Sequence, residues 1–246
     1  MDLRRREDRR FSLDLASHLS ELSAPPSLRE GWWCEVAVAL ADDVAIGGDF
    51  AVFDCDESRT LLRGMVVDTS GKGADAATRA VMLAGAISGL LGELTTAAVL
   101  PAVNRHVARL GSEENFATAV LLDIDLLTGD FQLAVAGHPA PVQFHAGSGR
   151  WETFEVTGPV LGIIPNAEWG VHEGHLDVGD ALIIVTDGMV EIPGVDLSLG
   201  LDRLLGHATR LVLEGWKGGA ERLLAQRRRA GSDDAQVVLL TREGRR

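Results

Sequence analysis

Residues 66–80 read VVDTSGKGADAATRA, and the change of pattern inside them decides the fold. Two valines lead into Asp68. Ser70, Gly71, Lys72 and Gly73 follow, and then alanines recur at helical spacing. The stretch predicts a buried strand ending on a carboxylate, a tight turn and a helix. A carboxylate at the rim of a buried strand needs a partner, because an unpaired charge there is costly. Gly-Lys suggests phosphate, but a Walker A loop needs four residues between its first glycine and Gly-Lys, then Ser or Thr. Here Gly64 stands seven positions before Gly71 and Gly73 follows Lys72, so that motif fails.

On the N-terminal side, "WWCEVAVAL", "GDFAVFD" and "LLRGMVV" read as three strands, the last two separated by the turn "CDESR". On the C-terminal side, Ala76, Ala80, Leu83, Ile87 and Leu90 or Leu91 make one helical stripe. A second helix at about 96–110 turns Val99, Val103, Val107 and Leu110 inward. Strands return at 116–125 and 131–137, a hairpin about "LTGD", and continue through "PVQFHA", "WETFEV" and "DALIIVTDG". Two helical segments at 199–214 and 218–230 precede a last strand, "AQVVLLTR". Strands, a helix pair, many strands, a helix pair and one strand are not the alternation of a doubly wound parallel sheet. The order predicts an α+β layering, mainly antiparallel.

Residues 11–22 place Leu15, Leu19 and Leu22 on one helical face, and "APP" at 24–26 ends that helix. It reads either as a frayed terminal helix or as a docking or dimerising one. The simplest division is a basic tail, helix and linker over 1–29 and one domain over 30–246.

The 246 residues, 46% hydrophobic, can bury a sizeable core. With 36 acidic and 23 basic side chains the formal charge is −13, which disfavours nucleic acid and favours divalent cations or basic protein patches. Two cysteines, Cys34 and Cys55, suggest a reducing compartment rather than a disulfide scaffold. No secretory signal or run long enough to span a bilayer is evident, so the expected setting is the cytoplasm, away from membrane.

Four aspartates, Asp49, Asp68, Asp187 and Asp233, flank strongly apolar segments. Turn chemistry explains any one of them. Together, with few basic neighbours in sequence, they would suit hard cations, which prefer oxygen ligands. Asp125 and Asp130 read as turn residues only. His138 reads as a structural hydrogen-bonding histidine, and His172 and His175 as members of a connecting loop. "IGGDF" lacks the second acid of the nucleotide-cyclase signature.

In order along the chain stand "IGGDF", "VVDTSGKGADAA", "NFATAVLLDID", "LAVAGHPAPV", "GPVLGI", "VGDALIIVTDGMVE" and "DDAQVVLL". This series resembles the metal-dependent protein serine/threonine phosphatases of the PP2C (PPM) superfamily, in particular the bacterial SpoIIE and RsbU branch. The resemblance runs from about Trp33 to Leu240. It implies a four-layer α-β-β-α sandwich of two mainly antiparallel sheets flanked by helix pairs, and a site for two Mn2+ or Mg2+ ions. By motif position Asp68 would bridge both ions, with the Thr69 carbonyl on one. Asp187 and Asp233 would hold the other side, and Asp49 would act directly or through water. Asp234 is the rival to Asp233. Two ions about 3.5–4 Å apart acidify a shared water and clamp phosphoryl oxygens, so a metal-bridging hydroxide would attack phosphorus without a cysteine nucleophile. Lys72 is the candidate for the substrate phosphate.

The implied substrate is a phosphoserine or phosphothreonine on a regulatory protein, for this branch a STAS-domain antagonist of an anti-sigma factor. The alternatives are a catalytically weak phosphoprotein-binding regulator and a hydrolase of small phosphate esters. A homodimer through the N-terminal helix or the helices of 73–110 is the candidate assembly. That helix pair, rich in small residues and leading directly from Asp68, is also the candidate route of control.

Overall fold

The computed structural model describes residues 15–41, 47–71, 74–110, 115–154, 157–191, 196–227 and 233–244. The strand that ends at Asp68 and Thr69 is β3 (Leu61–Thr69), second in a five-stranded sheet. Its neighbours are β2 (Asp49–Cys55) and β4 (Ala117–Asp125), followed by β5 (Asp130–Ala136) and β8 (His172–His175), in the order β2-β3-β4-β5-β8. The second sheet runs β1 (Trp32–Ala39), β10 (Ala235–Arg242), β9 (Ala181–Val185), β6 (Val142–His145) and β7 (Arg150–Thr153). All strand pairs in both sheets are antiparallel.

Three separate apolar cores make four layers. Leu62, Val66 and Ile124 face Leu182, Ile184, Val238 and Leu240 between the sheets. On the far side of the first sheet, Phe50, Met65, Val67 and Leu121 meet helices α2 (Ala74–Leu91) and α3 (Thr96–Ala108) through Ile87, Leu91, Leu100 and Val103. On the far side of the second, Ile183, Val237 and Leu239 meet α5 (Leu197–Glu214) and α6 (Gly219–Leu224) through Leu204, Leu211 and Leu223. Alternate residues of β3 and β10 thus enter different cores, the period-2 geometry of a strand. With both faces covered, "GMVV" and "VVLL" read as continuous apolar runs rather than as alternation. The structure is the α-β-β-α sandwich, with most strand and helix bounds within a few residues of those expected.

Several elements differ from the sequence expectation. The N-terminal helix, α1 (residues 15–22), packs on the α2 side of the first sheet. Leu19 is 6% exposed and Leu15 and Leu22 lie against the same core. The leucine face therefore packs against the chain's own core, with Leu15 and Leu22 still partly exposed. His172 and His175 open and close the edge strand β8 rather than sitting in a loop. A helical turn, α4 (Asp187–Val190), follows β9 directly. The last helix stops at Leu224, and residues 228–230 of the expected helix lie outside the described residues. In α2, Ala76, Ala77, Ala80 and Ala84 are buried, but Gly85 and Gly89 face open space, with no atom within 4 Å of an added Cβ. Only the alanines serve close packing. Among the described residues no helix is long and apolar enough to cross a membrane.

Candidate metal centre

Four strands bring their ends to one edge of the sandwich. β2 begins at Asp49, directly across the ladder from Asp68 near the end of β3. β9 ends one residue before Thr186 and Asp187, and Asp233 and Asp234 precede β10. Strands need no side-chain acid to end there. What holds the acids is a set of polar ties between the two sheets. The Thr186 hydroxyl donates to Asp49 Oδ2 at 2.6 Å and accepts from the Gln236 amide at 2.7 Å, which joins β2 to the end of β9 and the start of β10.

Asp234 is a structural clamp. Its Oδ1 accepts from the Ala41 amide at 2.8 Å and its Oδ2 from the Gly48 amide at 2.7 Å. Both oxygens are therefore occupied by the backbone that enters β2. Among the described residues the neighbouring Asp233 makes no such contact to Ala41 or Gly48; its Oδ1 accepts the adjacent Asp234 amide at 3.1 Å. Two glycines allow the approach. A Cβ on Gly48 would fall 2.7 Å from the Thr69 carbonyl oxygen, and one on Gly188 would fall 1.9 Å from the Asp234 carbonyl oxygen. The clamp by Asp234, the bridge by Thr186 and the role of Gly48 were not anticipated from the sequence, whereas a close backbone approach at Gly188 was. "GGD", "TDG" and "DD" were the visible signals.

The electrostatics fit a cation site. Asp49 is 5% exposed. Burial, and next the charge of Asp68, push its pKa well above the usual carboxylate range. Burial and then Asp233 raise Asp68 to about 6, while a hydrogen bond from Asp49 pulls the other way. Burial, Asp68 and Asp233 raise Asp187 to about 7. Each of these three feels the charge of a neighbouring carboxylate, and a divalent cation is the partner that would relieve them. The donors are all oxygen, the set that hard cations take. Among the described residues no three Asp, Glu, His or Cys side chains are gathered as tightly as the ligands of a single ion. The acids surround an edge rather than a point. Thr69 is buried, and its hydroxyl donates to the Gly48 carbonyl at 3.2 Å. Lys72 lies outside the described residues. Glu191 is exposed beyond α4, with its amide bonded to the Asp187 carbonyl at 2.6 Å.

Behind Asp68, the facing residue on β4 is Thr118, whose hydroxyl is hydrogen-bonded to His138 Nδ1 at 2.7 Å. Burial holds the His138 pKa down at about 3, so the ring is neutral. It is the structural histidine that the sequence suggested. A cavity of about 510 Å3 between α1 and β1 is lined by Leu19, Ser23, Val36 and Val38 and reaches Asp49.

The family model of stage II sporulation protein E (SpoIIE) matches residues 58–243. Among solved structures, the RsbU and RsbW domains of Rv1364c from Mycobacterium tuberculosis superpose with a TM-score of 0.71 at 26% identity, over 85% of this chain. This chain covers 60% of that one. The SiaA-PP2C domain of Pseudomonas aeruginosa gives a TM-score of 0.70 at 19% identity, over 97% of this chain and 96% of that one. RsbX in complex with magnesium gives 0.61 at 18% identity, over 87% and 96%.

Proposed function

This chain belongs to the SpoIIE family, and from that premise we propose that it is a divalent-metal-dependent phosphatase acting on phosphoserine or phosphothreonine of a regulatory protein. The observation that carries the proposal is the gathering of Asp49, Asp68, Asp187 and Asp233 from four strand ends at one edge, where burial and mutual charge raise three of them. Asp68, Asp187 and Asp233 would hold the ions, with Asp49 and the Thr69 carbonyl alongside. Two Mn2+ or Mg2+ ions, when bound, supply an acidified water and positive charge against the phosphoryl oxygens. RsbX, a structure of the same fold, is in complex with magnesium.

The chain's own residues do the rest. Thr186 fixes the Asp49 carboxylate through its hydroxyl. Asp234 pins the backbone entering β2, which sets where Asp49 stands opposite Asp68. Thr118 and the neutral His138 support the strand behind Asp68 without adding a competing positive charge. Lys72 is proposed to meet the substrate phosphate, since it follows Asp68 by four residues.

A STAS-domain antagonist of an anti-sigma factor is the proposed substrate. The likeness to a chain that contains RsbU and RsbW domains supports this reading. The test is turnover of a phosphorylated STAS-domain protein beside phosphocasein, in manganese. Phosphate release from the STAS protein at a clearly higher kcat/KM is expected, and equal rates would remove that substrate.

A further inference from the structure

We infer that Phe116, Ile163 and Ile164 form an apolar platform beside the candidate catalytic acids, which receives apolar residues flanking the phosphorylated residue of a protein substrate. The inference rests on the phosphatase reading above and adds which part of the substrate is gripped.

Three large apolar side chains on segments tied to the end of β3 are exposed: Phe116 is 39%, Ile163 48% and Ile164 51% exposed. Their backbones are fixed. The Ala117 amide donates to the Leu161 carbonyl at 3.1 Å and the Leu161 amide returns a bond to Ala117 at 2.8 Å. Buried Asn104 on α3 accepts from the Gly162 amide at 2.6 Å and donates to the Ile164 carbonyl at 3.0 Å. Farther along the same loop, Trp169 Nε1 donates to the Pro159 carbonyl at 2.8 Å. A loop so tied could have buried its isoleucines or carried polar residues. Exposed apolar groups on a fixed backbone beside a polar site mark a recognition surface.

Position selects the occupant. The Ser70 amide donates to the Phe116 carbonyl at 3.0 Å, and the Phe116 amide donates back to Ser70 Oγ at 3.0 Å. Ser70 is two residues past Asp68, and Ala117 is the ladder partner of Thr69. The platform is thus continuous with the strand that carries the central acid. An extended chain advances about 3.3 Å per residue. A polypeptide with its phosphate at the acids would lay residues one to three positions away over the platform, whereas a small phosphate ester would not reach it. The formal charge of −13 also repels acidic flanks and anionic bilayers.

The test uses the full chain with manganese and three probes: para-nitrophenyl phosphate, a phosphoserine peptide with leucines within three residues of the phosphoserine, and the same peptide with serines there. The wild type is expected to favour the leucine peptide by about tenfold in kcat/KM, the scale of apolar-pocket discrimination. The double variant Ile163→Ser/Ile164→Ser, and separately Phe116→Ser, should bring the two peptides to near equality with the aryl phosphate rate kept. Equal use of both peptides by the wild type overturns the platform. So does an equal loss on all three probes at an unchanged melting temperature. A wild type inert towards para-nitrophenyl phosphate refutes the phosphatase reading itself, and the platform falls with it.

Discussion

Asp233 and Asp234 are adjacent and chemically identical, yet their carboxylates have different hydrogen-bond partners. Asp234 has both oxygens on the Ala41 and Gly48 amides and its charge acts on Asp49 and Asp68, while Asp233 accepts the Asp234 amide on one oxygen and its charge acts on Asp68 and Asp187. Asp234→Ala should strand the Ala41 and Gly48 amides and cost about 1–3 kcal/mol, read as a lower urea midpoint. Asp233→Asn should leave that midpoint nearly unchanged. It should instead raise the manganese concentration for half activity about tenfold or more, as loss of a ligand does at least what loss of an outer partner does. The opposite pattern would exchange their roles. Asp68→Asn and Asp187→Asn should each abolish turnover with the fold kept, because the apolar strands behind them are untouched; a near wild-type rate in either removes that residue from the site. At this scale the sequence displayed which aspartates border buried strands. It could not display which oxygens the backbone consumes, since Ala41 and Gly48 lie 193 and 186 residues from Asp234.

His138 gives the pH dependence at an element boundary, just past β5. An unfolded imidazole titrates near 6.5, but burial holds the folded one at about 3. Its folded pKa is depressed, so below pH 6.5 the unfolded chain binds the extra proton. Stability is lost as pH falls, by up to about 1.4 kcal/mol per pH unit from this group. Urea midpoints at pH 7 and pH 5 should converge in His138→Asn relative to wild type, and equal pH slopes would contradict the assignment. Among the helices, α2 has two glycines with open space beyond them. Gly89→Ala should therefore stabilise by about 0.5–1 kcal/mol through helix propensity alone. Ala84→Leu, at a fully buried position, should destabilise by about 1–3 kcal/mol through overpacking. Long elements with strong apolar periods were legible in the sequence. The edge strand β8, "HEGH", has no apolar alternation to read, and α4 is a single turn of four residues.

For the whole molecule, the order of strand runs and helix pairs was enough to predict layers, because each layer must cover an apolar face. The docking of α1 was not legible. Its three leucines suit a partner or the chain's own core equally, and only the apolar face beside Phe50 decides. That helix is held by burial of Leu19 and by the Ala51 amide, which donates to Ser23 Oγ at 3.2 Å. The site is likewise a property of the whole, since its acids stand at positions 49, 68, 187 and 233 and meet only when both sheets have formed. These acids are proposed to act by holding divalent cations. The most direct test is hydrolysis of para-nitrophenyl phosphate by protein stripped with a chelator, before and after manganese is restored. No turnover in the stripped protein and recovery on addition of manganese are expected. Undiminished turnover in verified metal-free protein would contradict that role.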